Sequence, residues 1–264
     1  MGNFEFKKKF GQNFLTDKNL LEDIVLKAGV TSDDVVVEIG AGKGALTEAL
    51  SKHAKKVVSF EIDSELFDYL TDKFNGTNVE FVFEDVMKVS DEQINEMVGE
   101  NFKLVANLPY YVTSPILTRF IQNKNMTSCT IMVQEEVADR IIAEPKTKDY
   151  GVLTVICQVY GNAKKVIRVN RKMFYPVPNV DSAVVRIDKK EEPDVENFKA
   201  FMNFVKRAFA MRRKKLSSNL DDGVATKNDI EDYLENNGFS RLARAEELSI
   251  SDLKKLFCFF YDKK

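Results

Sequence analysis

Histidine occurs once in this chain of 264 residues and cysteine three times. His53 lies in the polar stretch Ser51-Lys52-His53-Ala54-Lys55, which suits a surface residue and leaves no basis for a histidine triad or a multi-histidine metal site. Cys129, Cys157 and Cys258 stand 28 residues (129 to 157) and 101 residues (157 to 258) apart. That spacing fits neither a disulfide framework nor a zinc-ligand pattern, so a reducing compartment and no metal are expected. Charge of one sign is also missing: 39 Lys and Arg against 41 Asp and Glu give a net charge of −2. A case for a nucleic-acid partner must therefore rest on local clusters. No apolar run approaches the ~20 residues that a membrane helix requires, and no unit of about 20 to 50 residues repeats. The stretch Met1-Gly2-Asn3-Phe4-Glu5-Phe6 lacks the apolar core of a signal peptide and carries Phe6 where myristoylation would want Ser or Thr. The expected location is the cytoplasm, with no membrane partner and a monomer as the default.

What is present is ordinary globular usage, 44% hydrophobic and 30% charged. At roughly 150 residues per domain, the length suggests one large domain and a smaller companion. Short β-branched and aromatic runs predict strands at Val35-Val36-Val37, Val57 to Phe60, Val79 to Phe83, Leu104-Val105-Ala106, Thr130 to Val133, Val152 to Tyr160 and Ala183 to Ile187. Segments of helical spacing separate the first four, such as Leu46, Leu50 and Ala54, or Leu66, Tyr69 and Leu70. This alternation predicts an α/β domain with a largely parallel sheet. The later connectors, Gly161-Asn162 and Tyr175 to Asn179, are short, which predicts an antiparallel pair at one edge. The domain should span residues 1–188 and end at the charged linker Lys189-Lys190-Glu191-Glu192-Pro193. Residues 189–264 then read as a small all-helical domain. Phe198, Phe201, Met202, Val205 and Phe209 share one helix face; Thr226 with Asp229 opens a second helix that Gly238 closes, and Ser249 with Asp252 opens a third.

Chemistry is concentrated in two turns. Val35 to Thr47 reads as a buried strand, a turn with Gly40, Gly42 and Gly44, and a helix start with free N–H groups. Glu61 ends the next strand, where a carboxylate can accept both ribose hydroxyl protons. Gly40, Gly42 and Ala45 also satisfy the G-x-G-x-x-G/A dinucleotide pattern, so an NAD-linked oxidoreductase stands as an alternative. Glu38 before the turn, and Asp85 placed to bind an adenine amino group, make the set resemble the S-adenosylmethionine site of Rossmann-like methyltransferases. The second turn, Asn107-Leu108-Pro109-Tyr110-Tyr111, follows the fourth strand at the carboxyl edge of the sheet. An adenine N6 amine is a poor nucleophile because its lone pair is delocalised, so an enzyme must accept both its hydrogens and favour a pyramidal nitrogen. Asn107 and the Leu108 carbonyl supply two acceptors, Pro109 fixes φ, and Tyr110 offers a stacking face. The other reading of this turn is an ordinary strand exit built from turn-forming residues.

Taken together, Gly11-Gln12-Asn13-Phe14-Leu15, Glu38 to Thr47, Asn107 to Tyr110 and Phe174-Tyr175-Pro176-Val177-Pro178-Asn179-Val180-Asp181-Ser182 resemble the rRNA adenine N6,N6-dimethyltransferases over essentially the whole chain. The resemblance implies a class I fold with a mostly parallel seven-stranded sheet, and S-adenosylmethionine as cofactor. It makes Asn13, Leu15, Glu38, Gly40, Gly42, Glu61, Ile62, Asp85, Val86 and Asn107 cofactor contacts and Phe174 a second aromatic at the target base. Leu108, Val180 to Arg186 and the tail (Arg212 to Leu216, Arg244 to Leu248) look like the small-subunit (RsmA/KsgA-like) branch, which dimethylates two adjacent adenines in the 3′-terminal hairpin during subunit assembly. The Erm-like large-subunit branch and a non-catalytic RNA-binding assembly factor are the competing readings. Tyr111 departs from the asparagine that many bacterial members carry.

Two basic clusters could hold a structured RNA despite the near-neutral total. The first contains Lys164, Lys165, Arg168, Arg171 and Lys172; the second contains Lys206, Arg207, Arg212, Arg213, Lys214 and Lys215, and Lys7 to Lys9 add to them. Each cluster taken alone equally suits a solvated basic face.

Overall fold

The computed structural model describes residues 14–15, 17–109, 112–190, 195, 197–223 and 225–261. By contacts the chain divides into two compact units. One combines the chain up to Ala138 with Asn162–Lys189; the other combines Asp139–Gly161 with the chain from Lys190 onward.

The first unit opens with a short strand, β1 (Phe14–Leu15), and α1 (Lys18–Ala28). Asp17 caps α1 by accepting from the N–H groups of Asn19 and Leu20, and Gly29 ends it in the left-handed region. Strand and helix then alternate as the sequence predicts: β2 (Val35–Ile39), α2 (Ala45–His53), β3 (Lys56–Phe60), α3 (Phe67–Lys73), β4 (Val79–Val82), α4 (Asp91–Val98), β5 (Phe102–Asn107), α5 (Thr113–Phe120) and β6 (Met126–Gln134). Next come α6 (Glu135–Ile141), α7 (Val152–Tyr160), β7 (Gly161–Val169), β8 (Phe174–Tyr175) and β9 (Ser182–Lys189). The main sheet has seven strands in the order β4-β3-β2-β5-β6-β9-β7. Pairs β2–β3, β3–β4, β2–β5 and β5–β6 are parallel, and β9 runs antiparallel to β6. Every residue of β2 is buried, as a central strand covered on both faces requires. On one face Leu21, Ile24 and Val25 of α1 and Leu46 and Leu50 of α2 pack with Val36, Val57, Val105 and Val184 of the sheet. A smaller cluster joins Leu66, Leu70 and Phe74 to Phe81 and Phe83. The strand order reverses between β2 and β5, so their carboxyl ends flank the crevice where open α/β sheets place ligands.

One strand expectation is overturned. Val152 to Tyr160 forms α7, and the strand comes immediately after it, from Gly161 to Val169. Its β-branched residues mimic a strand, but Leu153 to Cys157, Val159 and Tyr160 are all buried. A helix enclosed on every side loses the 3.6-residue polar rhythm that would reveal it. Thr154 fixes the helix start: its hydroxyl accepts from the Gly151 N–H at 3.1 Å and donates to the Arg140 carbonyl at 2.5 Å.

The second unit is helical, with α7, α8 (Phe198–Ala208), α9 (Leu216–Leu220), α10 (Lys227–Asn236) and α11 (Ile250–Tyr261). Its core is aromatic: Phe257 lies 5.5 Å from Phe201 and 5.6 Å from Phe204, ring centre to ring centre. Tyr160 meets Phe198 at 4.4 Å, and Tyr150 meets Phe209 at 5.9 Å. Residues 139–161, which the sequence reading placed in the first domain, therefore pack within the helical unit. The Thr226–Asp229 capping box opens α10, Gly238 follows it with φ 81°, and Ser249 with Asp252 opens α11. Among the described residues no helix is long and apolar enough to cross a membrane, and no group of His, Cys, Asp and Glu is placed to hold a metal.

Candidate active site

Beyond β2 the backbone turns through Gly40, Gly42 and Gly44, all with positive φ. A side chain on Gly44 would place its Cβ 2.6 Å from the Phe74 ring and 3.2 Å from Leu70, so the third glycine serves the packing of α2 against α3. At Gly40 the nearest atom to a Cβ would be the Asn107 carbonyl oxygen at 3.9 Å, because the ends of β2 and β5 flank one crevice. The N–H groups of the three glycines are all engaged. Gly40 donates to the Phe60 carbonyl at 2.7 Å and Gly44 to the Ala41 carbonyl at 2.8 Å. Gly42 donates to Glu61 Oε2 at 2.8 Å, and Glu61 Oε1 accepts from the Asp63 N–H at 2.9 Å. A dinucleotide pyrophosphate requires free donors at this place. Here the Glu61 carboxylate occupies the Gly42 donor, which disfavours a pyrophosphate at the turn.

Glu61 and Ile62 continue one wall of the cleft, followed by Asp85, Val86 and Met87 after β4. Asp85 Oδ1 accepts from the Met87 N–H at 3.0 Å, which orients the carboxylate. Asn107, Leu108 and Pro109 form the other wall, and Leu15 and Phe174 complete the lining. These last two are register partners in a two-stranded antiparallel ribbon, β1 with β8. Leu15 of the amino-terminal motif and Phe174, remote in sequence, thus form one piece of the wall. The side-chain amide of Asn107 hydrogen-bonds to no described residue. The structure therefore gathers Leu15, Gly40, Gly42, Glu61, Ile62, Asp85, Val86, Asn107, Leu108, Pro109 and Phe174 around one cleft. Asn13 and Tyr110 lie outside the described residues.

Glu38 is the exception. Expected as a cofactor contact, it is 1% exposed and does not line the cleft. Its Oε2 accepts from the Thr47 and Ser59 hydroxyls, both at 2.6 Å, and so ties α2 and β3 beneath the glycine turn. Oε1 is buried, with no partner among the described residues. Burial pushes the carboxyl up from 4.5 to about 7, opposed by the two hydroxyls and reinforced by Glu61. The folded state thus holds this proton more tightly than the unfolded chain, and stability falls as pH rises from about 4.5 through 7. A Glu38→Gln variant lacks this titration. Between pH 5 and 8 its unfolding free energy should gain on that of the wild type by about 3 kcal/mol, read from denaturant midpoints. Parallel profiles for the two proteins would show that Glu38 does not carry the proton.

Sequence reasoning missed Leu21 and Ile24 of α1, Ile116 of α5 and Met132 of β6, which also line the cleft. Their apolar spacing marks them as core, and nothing local distinguishes a core face from a cleft wall. The basic residues divide by their partners. Lys165 pairs with Glu135 at 2.6 Å, Lys164 with Asp188 at 3.3 Å, and Arg171 donates to the Asn179 carbonyl at 2.8 Å. Arg168 reaches Glu135 at 3.2 Å but remains 81% exposed. In the helical unit Arg212 donates to the Lys148 carbonyl at 2.6 Å and pairs with Glu246 at 3.1 Å, and Lys215 faces Glu231 at 3.6 Å. Arg213 and Lys214 are exposed and form no ion pair among the described residues.

A profile of the ribosomal RNA adenine dimethylase family matches residues 3–262. A protein of Clostridium acetobutylicum named ribosomal RNA small subunit methyltransferase A is 44% identical over 260 residues, covering 96% of this chain and 93% of its own. One of the same name from Geobacillus thermodenitrificans is 43% identical over 267 residues, covering 96% and 90%. Among solved structures, a dimethyladenosine transferase from Plasmodium falciparum matches with TM-score 0.78 and 28% identity, covering 95% of this chain and 98% of that one. The 23S rRNA methyltransferase ErmE matches with TM-score 0.73 and 28% identity, covering 94% and 99%.

Proposed function

The chain belongs to the ribosomal RNA adenine dimethylase family, and from that premise we propose that it uses S-adenosylmethionine to dimethylate N6 of two adjacent adenines in the 3′-terminal hairpin of small-subunit ribosomal RNA. The observation that carries this reading is the side-chain amide of Asn107, without a partner among the described residues, on the cleft that Glu61 and Asp85 also line. Two such carboxylates suit an adenosine. Asp85 can accept from its amino group and Glu61 from its ribose hydroxyls, while Ile62 and Val86 offer apolar faces to the ring. The engaged glycine N–H groups and the Glu61 carboxylate suit a ligand that carries positive charge and no phosphate. When bound, S-adenosylmethionine supplies an electrophilic methyl group.

The chain's own task is to present the target nitrogen. Asn107 Oδ1 and the Leu108 carbonyl accept the two N6 hydrogens, which draws the lone pair out of conjugation with the ring. Pro109 fixes the backbone between these acceptors and Tyr110, whose ring and that of Phe174 hold the extruded base. No side-chain base is required, since the methylated amine is transiently cationic and readily loses a proton. This accords with a single histidine, paired with Glu22 at 2.8 Å.

The small-subunit substrate is favoured by the relatives at 43–44% identity that bear that name, against 28% for ErmE. We assign the helical unit to rRNA binding and the protein to the cytoplasm, acting as a monomer on the assembling small subunit. Arg213 and Lys214 are exposed, and among the described residues they form no ion pair, so both can meet phosphate. Neutralising both should flatten the logarithmic salt dependence of RNA affinity by about one to two. Cofactor affinity should not change, and an unaltered slope would take this pair out of the interface. Arg212 and Lys215 are poorer probes, since they also hold the unit together.

The function itself is tested by incubating the protein with labelled S-adenosylmethionine and either undermethylated small subunits or large-subunit RNA, then locating the label by mass spectrometry. Dimethyladenosine at two adjacent positions of the small-subunit hairpin is the expected result. Label confined to large-subunit RNA would make the enzyme Erm-like, and cofactor binding without transfer would indicate an assembly factor.

A further inference from the structure

We propose that Arg119 is a positioning residue that sets the base end of the cofactor site from the helix of the catalytic turn. The inference rests on the assignment of Asp85 and Val86 to the cofactor's adenine. These residues lie in segment 83–90, which belongs to no strand or helix, so its buried carbonyls need partners from elsewhere. Arg119 supplies them: one guanidinium nitrogen, Nη1, donates to the Val86 carbonyl and the other, Nη2, to the Val89 carbonyl. Nε and Nη2 also donate to Asp91 Oδ1, at 3.1 and 2.9 Å, at the first residue of α4. The Arg119 side chain is 18% exposed, and its guanidinium lies over the Phe120 ring at 5.7 Å. A planar fork with this many donors can hold two carbonyls and a carboxylate together, which a lysine cannot.

The residue's place in the chain gives this contact its meaning. Arg119 lies in the last turn of α5, and Ile116, less than one turn earlier, lines the cleft. The helix begins at Thr113, and the Pro109 carbonyl of the Asn107–Pro109 turn accepts from the Val112 N–H at 3.1 Å and the Thr113 hydroxyl at 3.3 Å. One side chain thus connects the wall that holds the target base to the loop that holds the cofactor's base. Nothing in its local sequence marks it for this role.

The test measures S-adenosylmethionine affinity by calorimetry and steady-state methylation for Arg119→Gln, Arg119→Lys and Asp91→Asn. Arg119→Gln should raise Kd and KM for the cofactor by about tenfold, with kcat at saturation within about threefold of wild type. Lysine should restore part of the loss, and Asp91→Asn should cost less than Arg119→Gln. A partly unfolded variant would lower binding stoichiometry and kcat and leave KM unchanged, so the two causes separate. The decisive comparison is a cycle with Asp85→Ala. If Arg119 acts through the 85–87 segment, the double variant should bind no more than about twofold worse than Asp85→Ala alone. Fully additive losses, or Arg119→Gln with wild-type Kd and KM, would overturn the proposal. Absence of cofactor binding by the wild-type protein would instead refute the assigned function.

Discussion

Asn107→Ala should lower kcat by about 10²- to 10³-fold, the scale seen when one preorganised hydrogen-bonding group at a reacting centre is removed. Cofactor affinity should fall by no more than about threefold, because Glu61, Asp85 and the glycine turn are untouched and the Asn107 amide is only one of many lining groups. The effect should be specific to the oxygen. Asn107→Asp keeps an acceptor in nearly the same place and should retain turnover well above that of the alanine variant. Single-turnover methylation of the small subunit, with cofactor affinity measured in parallel, reads both quantities. Wild-type turnover in the alanine variant would refute the two-acceptor account, and a matching collapse of cofactor affinity would make Asn107 a cofactor ligand first.

For Glu61 the loss should fall on binding. Replacement by alanine removes the proposed ribose acceptors and also frees the N–H groups of Gly42 and Asp63, so S-adenosylmethionine affinity should drop on the order of a hundredfold. Glutamine should not rescue it. Both carboxylate oxygens already accept from backbone donors, so one end of the glutamine amide must place its NH₂ against an N–H. At saturating cofactor, kcat should recover to within a few-fold of wild type. Calorimetry decides the matter: preserved affinity in the glutamine variant would mean that the two backbone bonds do not define the site.

Much of the sheet was legible because its strands are short, β-branched and separated by helices with clear spacing. The glycine turn, Glu61, Asp85 and Asn107 were legible because each ends or follows such a strand, and strand ends converge in this fold class. Three features were not. Helix α7 is apolar all round, so its composition argued for a strand where Thr154 and burial dictate a helix. Glu38 stands next to the turn in sequence, yet strand alternation and two hydroxyl partners direct it beneath the turn. Arg119 reads as one more charged residue near a helix end, since the carbonyls it serves are about thirty residues upstream.

Leu15 and Phe174 face each other across the β1–β8 ribbon. A chain made from its amino terminus must hold the first strand unpaired until nearly two thirds of the protein has been synthesised. Strand β9, which completes β6 on its open side, emerges later still, after the interruption at 139–161. Growing fragments that already carry the glycine turn and the Asn107 turn therefore lack one wall of the cleft. The cleft is therefore walled on every side only after Phe174 has been made, later than the two turns that line the rest of it.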